Sequence, residues 1–254
     1  MSLPPAQNSA LTQKGILLED LTWQEAEARL HPETIVVIPI GAASKEHGPH
    51  LKLKNDWLLA EYFKGAVIES ADVVVAPTVN YNYYPAFLEY PGSVSLRPET
   101  ARDLMVDICR SLTRYGPQKF YALNTGISSI RPLKLAAKIL ANEGIQLRYT
   151  DLPKITESLV AAIQQQEGGT HADEIETSMM LFIAPSTVDM SKAAKDFHPS
   201  PLGGLTRNPR GEGAYSVSGI YGDPTLATRE TGETIVRVAV AGILKEIEEF
   251  RRGD

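Results

Sequence analysis

The sequence is organised around residues 34–50, which read TIVVIPIGAASKEHGPH. Residues 34–40 are almost wholly apolar and rich in β-branched side chains, which is typical of a strand covered on both faces in a parallel sheet. The polar residues that follow therefore leave the carboxyl end of a buried strand, where ligands of open α/β sheets bind. Two imidazoles and two carboxylates lie there within eleven residues, namely Glu46, His47, His50 and Asp56. We expect the functional site at this strand end.

Strand-like and helix-like segments alternate along the rest of the chain. The later predicted strands are residues 72–77, 119–123 and 145–149, and the predicted helices include residues 98–115, 131–142 and 229–251. Asp56 fits the N-cap of a further helix that follows it. Alternation at this spacing predicts βαβ units with right-handed crossovers. The predicted fold is α/β with three layers, a mainly parallel sheet with helices on both faces.

The length of 254 residues suits one large α/β domain. We predict an N-terminal arm over residues 1–20 and a single domain over residues 21–254. Residues 184–224 are rich in Pro and Gly. An irregular insertion of that length is usually a lid, a binding loop or an oligomer contact.

The composition argues against several classes of partner. The formal net charge is −6 and no cluster of Lys and Arg stands out, which disfavours nucleic acid and anionic membranes. No apolar run approaches the roughly 20 residues that span a bilayer. The single Cys109 cannot form an internal disulfide, and no charged segment followed by a long apolar one opens the chain. We therefore expect a cytoplasmic protein with a small-molecule partner.

Two further loops contribute candidate residues. Tyr81 belongs to an aromatic loop at residues 80–85, and such a loop either walls a pocket for a planar ligand or packs across an interface. Ser128 follows the predicted strand at residues 119–123, so its loop is expected at the same edge of the sheet.

The region around His171 contains two glutamates that compete for a place in the site. If the helix of this region begins near His171, then Glu174 shares the face of His171, whereas Glu176 points away. Periodicity alone therefore favours Glu174.

The residues after the first strand resemble the first signature of the creatininase (creatinine amidohydrolase) family, Pro-x-Gly-x-x-Glu-Gln-His-Gly-x-His followed by an Asp. The matching residues are Pro39, Gly41, His47, Gly48, His50 and Asp56. Residues 171–178 resemble a later signature, His-(Ala/Gly)-Gly-x-x-Glu-Thr-Ser, which favours Glu176 over Glu174. The resemblance covers most of the chain from about residue 21 onwards and implies the creatininase fold.

The resemblance also implies metal chemistry. Family members hold two metal ions that share an aspartate, which corresponds to Asp56, and His47 corresponds to a ligand of the second ion. At the first ion's own ligand positions this chain has Lys45 and Gly126 in place of Glu and His. We therefore expect one divalent ion, Zn²⁺, Mn²⁺ or Fe²⁺, with His47, Asp56 and Glu176 as ligands, or no metal at all.

The resemblance assigns a role to His171, and the positive charge of Lys45 suggests one for that residue. His171 corresponds to a family histidine linked to proton transfer, and the Lys45 ammonium can supply the charge of the missing ion. These two are the expected catalytic residues. The expected substrate-binding residues are Glu46, His50, Tyr81 and Ser128.

The expected function is metal-dependent hydrolysis of a C–N amide bond in a small non-peptide substrate, cyclic substrates included. The resemblance implies a homo-oligomer such as a hexamer. The main alternative is a non-catalytic small-molecule binding protein that keeps the pocket and has lost its metal sites. A metal-free amidohydrolase with Lys45 as electrophile and His171 as base is a third possibility, but nothing obvious would then activate the water.

Overall fold

A computed structural model describes residues 13–200 and 203–253. The regular elements are, in chain order, β1 (Ile16–Leu17), α1 (Trp23–Arg29), β2 (Ile35–Ile40), α2 (Asn55–Ser70), β3 (Val74–Val75), α3 (Pro98–Thr113), β4 (Lys119–Asn124), α4 (Ile130–Ala141), β5 (Gln146–Tyr149), α5 (Leu152–Ile163), α6 (Glu174–Ile183), β6 (Leu205–Thr206), β7 (Ala214–Tyr215) and α7 (Arg229–Arg252). Residues 1–12 of the predicted arm lie outside the described residues. The described end of that arm supplies β1, so it is part of the sheet.

The main sheet has five strands in the order β1-β3-β2-β4-β5, and all neighbouring strands are parallel. β2 lies at the centre, and all of its residues are buried, as its apolar sequence predicts. β2 and β4 pair along their full length, from Ile35 opposite Lys119 to Ile40 opposite Asn124. Their carboxyl ends are therefore level, and the loops that follow them meet at one edge of the sheet.

Separate apolar cores cover the two faces of this sheet. One face packs against α1, α3 and α4 through residues such as Ile38, Met105 and Leu133. The other face packs against α2, α5, α6 and α7, with Phe63 and Ile243 among its buried residues. The predicted three-layer α/β fold, with a mainly parallel sheet and helices on both faces, is confirmed. Among the described helices, none has the length and apolar character needed to cross a membrane.

The starts of α2 and α6 differ from the prediction, and both differences bear on the site. Asp56 is not the N-cap of α2, because Lys54 holds that position and Asp56 lies in the first turn. α6 begins at Glu174, and its N-cap Asp173 accepts a hydrogen bond from the Glu176 N–H. Both helices thus place a carboxylate in the first turn, where the helix dipole stabilises negative charge.

α6 is held tightly by the C-terminal helix. Gly232 of α7 faces the backbone of Ser178 in α6, and a Cβ atom at this position would overlap the Ser178 carbonyl group. The two helices can approach this closely because residue 232 has no side chain. The position of α6 relative to the sheet therefore depends on this contact.

The predicted insertion at residues 184–224 contains short turns and the two-stranded pair β6–β7. Its described part packs onto the loop that precedes α6. Tyr221 and His171 form an isolated antiparallel bridge, and Ile220 is buried in a small cluster with Leu51 and Met180. The insertion thus helps to fix the backbone of His171.

Candidate active site

The candidate site lies where the loop after β2 meets the first turns of α2 and α6. The loop supplies His47, α2 supplies Asp56 and α6 supplies Glu176. His47 Nε2 lies 2.8 Å from Asp56 Oδ1 and 3.4 Å from Glu176 Oε1. Two carboxylates from separate helices therefore converge on one ring nitrogen of His47.

The other ring nitrogen of His47 fixes the orientation of the imidazole. Nδ1 lies 2.9 Å from the Lys45 carbonyl oxygen, so Nδ1–H donates to it. In a neutral ring Nε2 then carries a free lone pair, which is the usual arrangement of a metal-ligating histidine. Without a metal ion, Nε2 faces two carboxylates. Burial and the Lys45 charge lower the pKa of His47, but Asp56 and Glu176 outweigh them and raise it to about 9.

Lys45 occupies the opposite side of the Asp56 carboxylate. Its Nζ lies 2.7 Å from Asp56 Oδ2 and 4.8 Å from the centroid of the Phe87 ring, and the residue is buried. Burial alone would lower the pKa of the Lys45 amine, but Asp56 and Glu176 raise it above its ordinary value. In turn, Lys45 and His47 overcome the effect of burial and lower the pKa of Asp56. Lys45 is therefore a fixed positive charge in the site.

His171 lies beside this cluster and is oriented by Glu46. His171 Nε2 is 2.9 Å from Glu46 Oε1, while His171 Nδ1 is 3.6 Å from Glu176 Oε2. The Phe87 ring packs against the imidazole at a centroid distance of 4.4 Å. A ring whose Nε2–H donates to Glu46 keeps Nδ1 available on the side that faces Glu176.

The structure places Glu176, and not Glu174, beside the two histidines. Glu174 Oε2 accepts hydrogen bonds from the N–H groups of Gln165 and Gln166, at 2.8 and 2.7 Å. Glu174 therefore holds the preceding loop. The periodicity argument is wrong because it starts the helix near His171, whereas α6 begins at Glu174 and the residues before it are irregular.

The backbone before α6 brings Glu176 into position. Ala172 has a φ of 48°, in the left-handed region that residues with a side chain rarely adopt. Its N–H donates to Glu176 Oε2 at 2.7 Å. Burial would raise the pKa of Glu176, but His47 and His171 lower it well below its ordinary value.

Two overlapping donor sets are candidates for holding a divalent metal ion. Ligand atoms of His47, His171 and Glu176 all lie within 4.8 Å of one another. The set expected from the sequence replaces His171 by Asp56, whose Oδ1 lies against His47 Nε2. Both sets combine imidazole nitrogen with carboxylate oxygen, which suits Zn²⁺ and similar ions. The donor atoms of His47, His171 and Glu176 therefore fit one metal ion, and Asp56 lies next to them.

A cavity of about 740 Å³ borders the cluster, and Lys45, His171 and Glu176 are among the residues that line it. Ser128 also lines this cavity. Tyr81 is half exposed and is not among the described residues that line it, whereas Tyr84, which is buried, is. The aromatic loop thus contributes a different tyrosine from the one expected, because the loop has no regular period from which its facing residues could be read.

The other two residues expected to bind substrate lie behind the cluster. Glu46 is buried against His171, and its Oε2 accepts the Gly48 N–H at 2.8 Å. His50 is buried, with Nε2 2.8 Å from Thr177 Oγ1, and burial lowers the pKa of His50 to about 4. Neither is among the described residues that line the cavity. Their role in substrate binding stays a prediction.

The chain is similar in sequence to proteins of known family. The family model described as "Creatininase: Creatinine amidohydrolase" matches residues 19–247. A creatinine amidohydrolase from Pseudomonas putida is 29% identical over 259 aligned residues, which cover 93% of this chain and 97% of that protein. A mycofactocin precursor peptide peptidase from Mycolicibacterium smegmatis is also 29% identical, over 85% of each chain.

The solved structures extend this similarity to the fold. A structure described as "Creatininase Mn" superposes with a TM-score of 0.79 at 26% identity, over 93% of this chain and 99% of the other. A mutant creatininase of "Zn-Zn type" superposes with a TM-score of 0.75 at 27% identity, over 92% of this chain and 98% of the other. The match of the family model to nearly the whole chain, together with these relatives, shows that the chain belongs to the creatininase family of hydrolases.

Proposed function

We propose that this protein hydrolyses a C–N amide bond with the help of one divalent metal ion held by His47, Asp56 and Glu176. The observation that carries the proposal is the convergence of Asp56 Oδ1 and Glu176 Oε1 on His47 Nε2, at 2.8 and 3.4 Å. The solved relatives described with Mn and with Zn-Zn support Mn²⁺ and Zn²⁺ as candidates.

The proposal includes one ion per chain and not two. Asp56 Oδ2, the oxygen available to a second ion, is held by the Lys45 ammonium at 2.7 Å. A side chain at position 126 would also be crowded, because a Cβ atom there would lie 2.9 Å from Ser129 Oγ and 3.3 Å from the Tyr84 ring. Residue 45 is therefore a cation and not a metal ligand, and position 126 has little room for a side chain. These two positions do not fit a second metal ion.

The surrounding residues supply the rest of the chemistry. When bound, a divalent ion polarises a carbonyl oxygen and favours ionisation of a nearby water molecule. Lys45 also lines the cavity, and its ammonium can stabilise the negative charge that develops on the carbonyl oxygen during attack. Its ion pair with Asp56 holds the ammonium in place before the substrate arrives. Phe87 shields it from water on another side.

His171 is suited to moving the proton. Glu46 holds Nε2–H, and the imidazole therefore presents Nδ1 towards Glu176 and the cavity. Nδ1 can accept a proton from the attacking water and pass it to the departing nitrogen. Amide hydrolysis needs this transfer, because an amide nitrogen leaves readily only when protonated.

Two classes of molecule are candidates for the substrate that contains the amide bond. The sequence-based expectation is a small non-peptide amide, and the relative named creatinine amidohydrolase supports it. The relatives named mycofactocin precursor peptide peptidase support a second candidate, an amide bond of a short peptide. The non-catalytic alternative is less well supported, because the convergent donors and His171 are retained. A cytoplasmic location and a homo-oligomer stay predictions.

The test is metal analysis combined with substrate screening. The full chain is freed of metal with a chelator, reloaded with Zn²⁺, Mn²⁺ or Fe²⁺, and assayed on creatinine-like cyclic amides and on short peptides. We expect about one tightly held ion per chain and turnover that requires it. Absence of stoichiometric metal with all three ions, or turnover unaffected by the chelator, would refute the proposal.

A further inference from the structure

The cavity above the reactive cluster is much larger than that cluster needs. Its volume of about 740 Å³ lies within the range of sites that enclose drug-sized ligands, about 300–1,000 Å³. Lys45, His171 and Glu176 are only three of the residues that line it. Most of the other residues that line it come from α5, α6 and α7 and from the loops at residues 84–87, 125–128, 169–173 and 203–205. A small polar amide bound at the cluster would leave part of the cavity unfilled.

The three helices present apolar side chains to the cavity in a regular way. Each contributes residues four or eight positions apart, which therefore lie on one face of the helix. The pairs are Leu152 and Val160 from α5, Ile175 and Met179 from α6, and Ile235 and Ala239 from α7. Leu152, Val160, Ile175 and Met179 are partly exposed, so α5 and α6 form an apolar surface beside Glu176. Thr156 and Glu157 add polar groups on α5, and Ile235 and Ala239 are buried in the core.

α6 fixes the distance between the reactive cluster and the apolar surface. Glu176 lies in the reactive cluster, and Met179 of the apolar surface follows it after three residues, a rise of about 4.5 Å along the helix axis. Leu152 and Val160 extend the apolar surface by about 12 Å along α5. An alkyl or aromatic group attached close to the scissile bond would therefore lie on this surface while the amide lies at the cluster.

We infer that the substrate of this enzyme carries an aliphatic or aromatic group of several carbons next to the amide bond, and that the apolar surface formed by α5 and α6 selects it. This inference rests on the proposed function, because it takes the cluster as the point of attack. It adds a substrate class, amides with a substantial apolar substituent, and the residues that distinguish such substrates from small polar ones.

The experiment uses hydroxamates of increasing length, since they chelate metal and need no knowledge of the substrate. Acetohydroxamate, hexanohydroxamate and octanohydroxamate are titrated calorimetrically into the full chain loaded with Zn²⁺. We expect the dissociation constant to fall at least about tenfold from the shortest to the longest ligand, with a more negative heat-capacity change. Dissociation constants that do not depend on length would overturn the inference.

The same titrations after chelation separate this inference from the proposed function. Affinity that drops on metal removal but still rises with chain length supports both. A length dependence that is unchanged by chelation supports the apolar surface and contradicts the metal site. Failure of octanohydroxamate to bind either form overturns the inference.

A matched pair of variants on α5 locates the effect. Val160→Asn places an amide group on the apolar surface, and we expect the affinity ratio of octanohydroxamate to acetohydroxamate to fall several-fold. Ala162→Asn makes a comparable change at an exposed position that does not line the cavity. The ratio should stay at the wild-type value in this control. An equal loss in both variants would contradict the assignment of the surface.

Discussion

Lys45 Nζ lies 2.7 Å from Asp56 Oδ2, while the other oxygen of the same carboxylate lies 2.8 Å from His47 Nε2. Asp56 is thus shared between a permanent cation and a position that either a proton or a metal ion can occupy. A buried carboxylate with one partner removed would be costly, whereas this one is neutralised from both sides. The arrangement explains how the Asp56 carboxylate can stay charged although it is buried.

Lys45→Met removes the positive charge of residue 45 and keeps an unbranched side chain of similar size. We expect Lys45→Met to reduce kcat by about 10²–10³-fold, because the group proposed to stabilise the developing oxyanion is lost. The metal content should persist, since His47, Asp56 and Glu176 are unchanged. Steady-state kinetics measure kcat, and elemental analysis measures the metal content. Lys52→Met, at an exposed lysine of the same loop, is the control. Full activity in Lys45→Met would show that the ammonium is not needed.

The stability of the metal-free protein should fall as the pH rises from about 6.5 to about 9. His47 has a folded-state pKa raised from 6.5 to about 9, so its protonated form is favoured in the folded state and this contribution is lost as pH passes the folded value. The loss is on the order of 3 kcal/mol, since one pKa unit corresponds to about 1.4 kcal/mol. Urea unfolding across this range measures it.

The control for this pH dependence is His47→Gln, which keeps a polar side chain without a titrating imidazole. Its free energy of unfolding should be lower at neutral pH and should change less over the same range. Metal affinity of the wild type should rise over this range, because the ion and the proton compete for Nε2. A wild-type stability that is flat between these pH values would contradict the assignment.

The two overlapping donor sets can be distinguished by one pair of variants. Asp56→Asn should lower metal affinity by at least about tenfold, whereas His171→Asn should retain the metal and reduce kcat by about 10²–10⁴-fold. Isothermal titration with Zn²⁺ and turnover assays give the two readouts. If His171→Asn instead releases the metal and Asp56→Asn retains it, then His171 is the third ligand.

The close approach of α6 and α7 leads to a prediction about stability. Gly232→Ala places a methyl group against the Ser178 backbone, and we expect a loss of at least about 2 kcal/mol and weaker metal binding, since α6 carries Glu176. Gly65→Ala is the matched change in α2, where the added methyl group meets no atom within 4 Å. That variant should gain about 0.5–1 kcal/mol from helix propensity. Thermal or urea unfolding of both variants measures the difference.

The parts of the site that the sequence predicts are those carried by local patterns. The β-branched run of β2 predicts a buried central strand, and His47 and Asp56 follow it within one signature. The motif at residues 171–178 selects Glu176 against the helical period, and the structure places Glu176 beside His47. Helical periodicity counted from His171 fails because the residues before α6 are not helical. The motif still identifies Glu176, since it does not depend on where the helix begins.

Long-range contacts are the parts that could not be predicted. Glu46 and His171 are 125 residues apart, and no local pattern indicates that one orients the other. α5 has no counterpart among the predicted elements, although Asp151 before Leu152-Pro153 is a recognisable helix start. Apolar residues on a helix face look the same in sequence whether they face a core or a cavity. The apolar surface of the cavity was therefore inaccessible without the tertiary arrangement.

The short interval between Glu176 and Met179 has a consequence for how selectivity can diverge within such a scaffold. A substitution at Met179 alters the cavity wall one helical turn from Glu176 and leaves the contact between Ser178 and Gly232, which positions α6, unchanged. Catalysis and chain-length preference can therefore change independently, without any substitution among the ligands themselves.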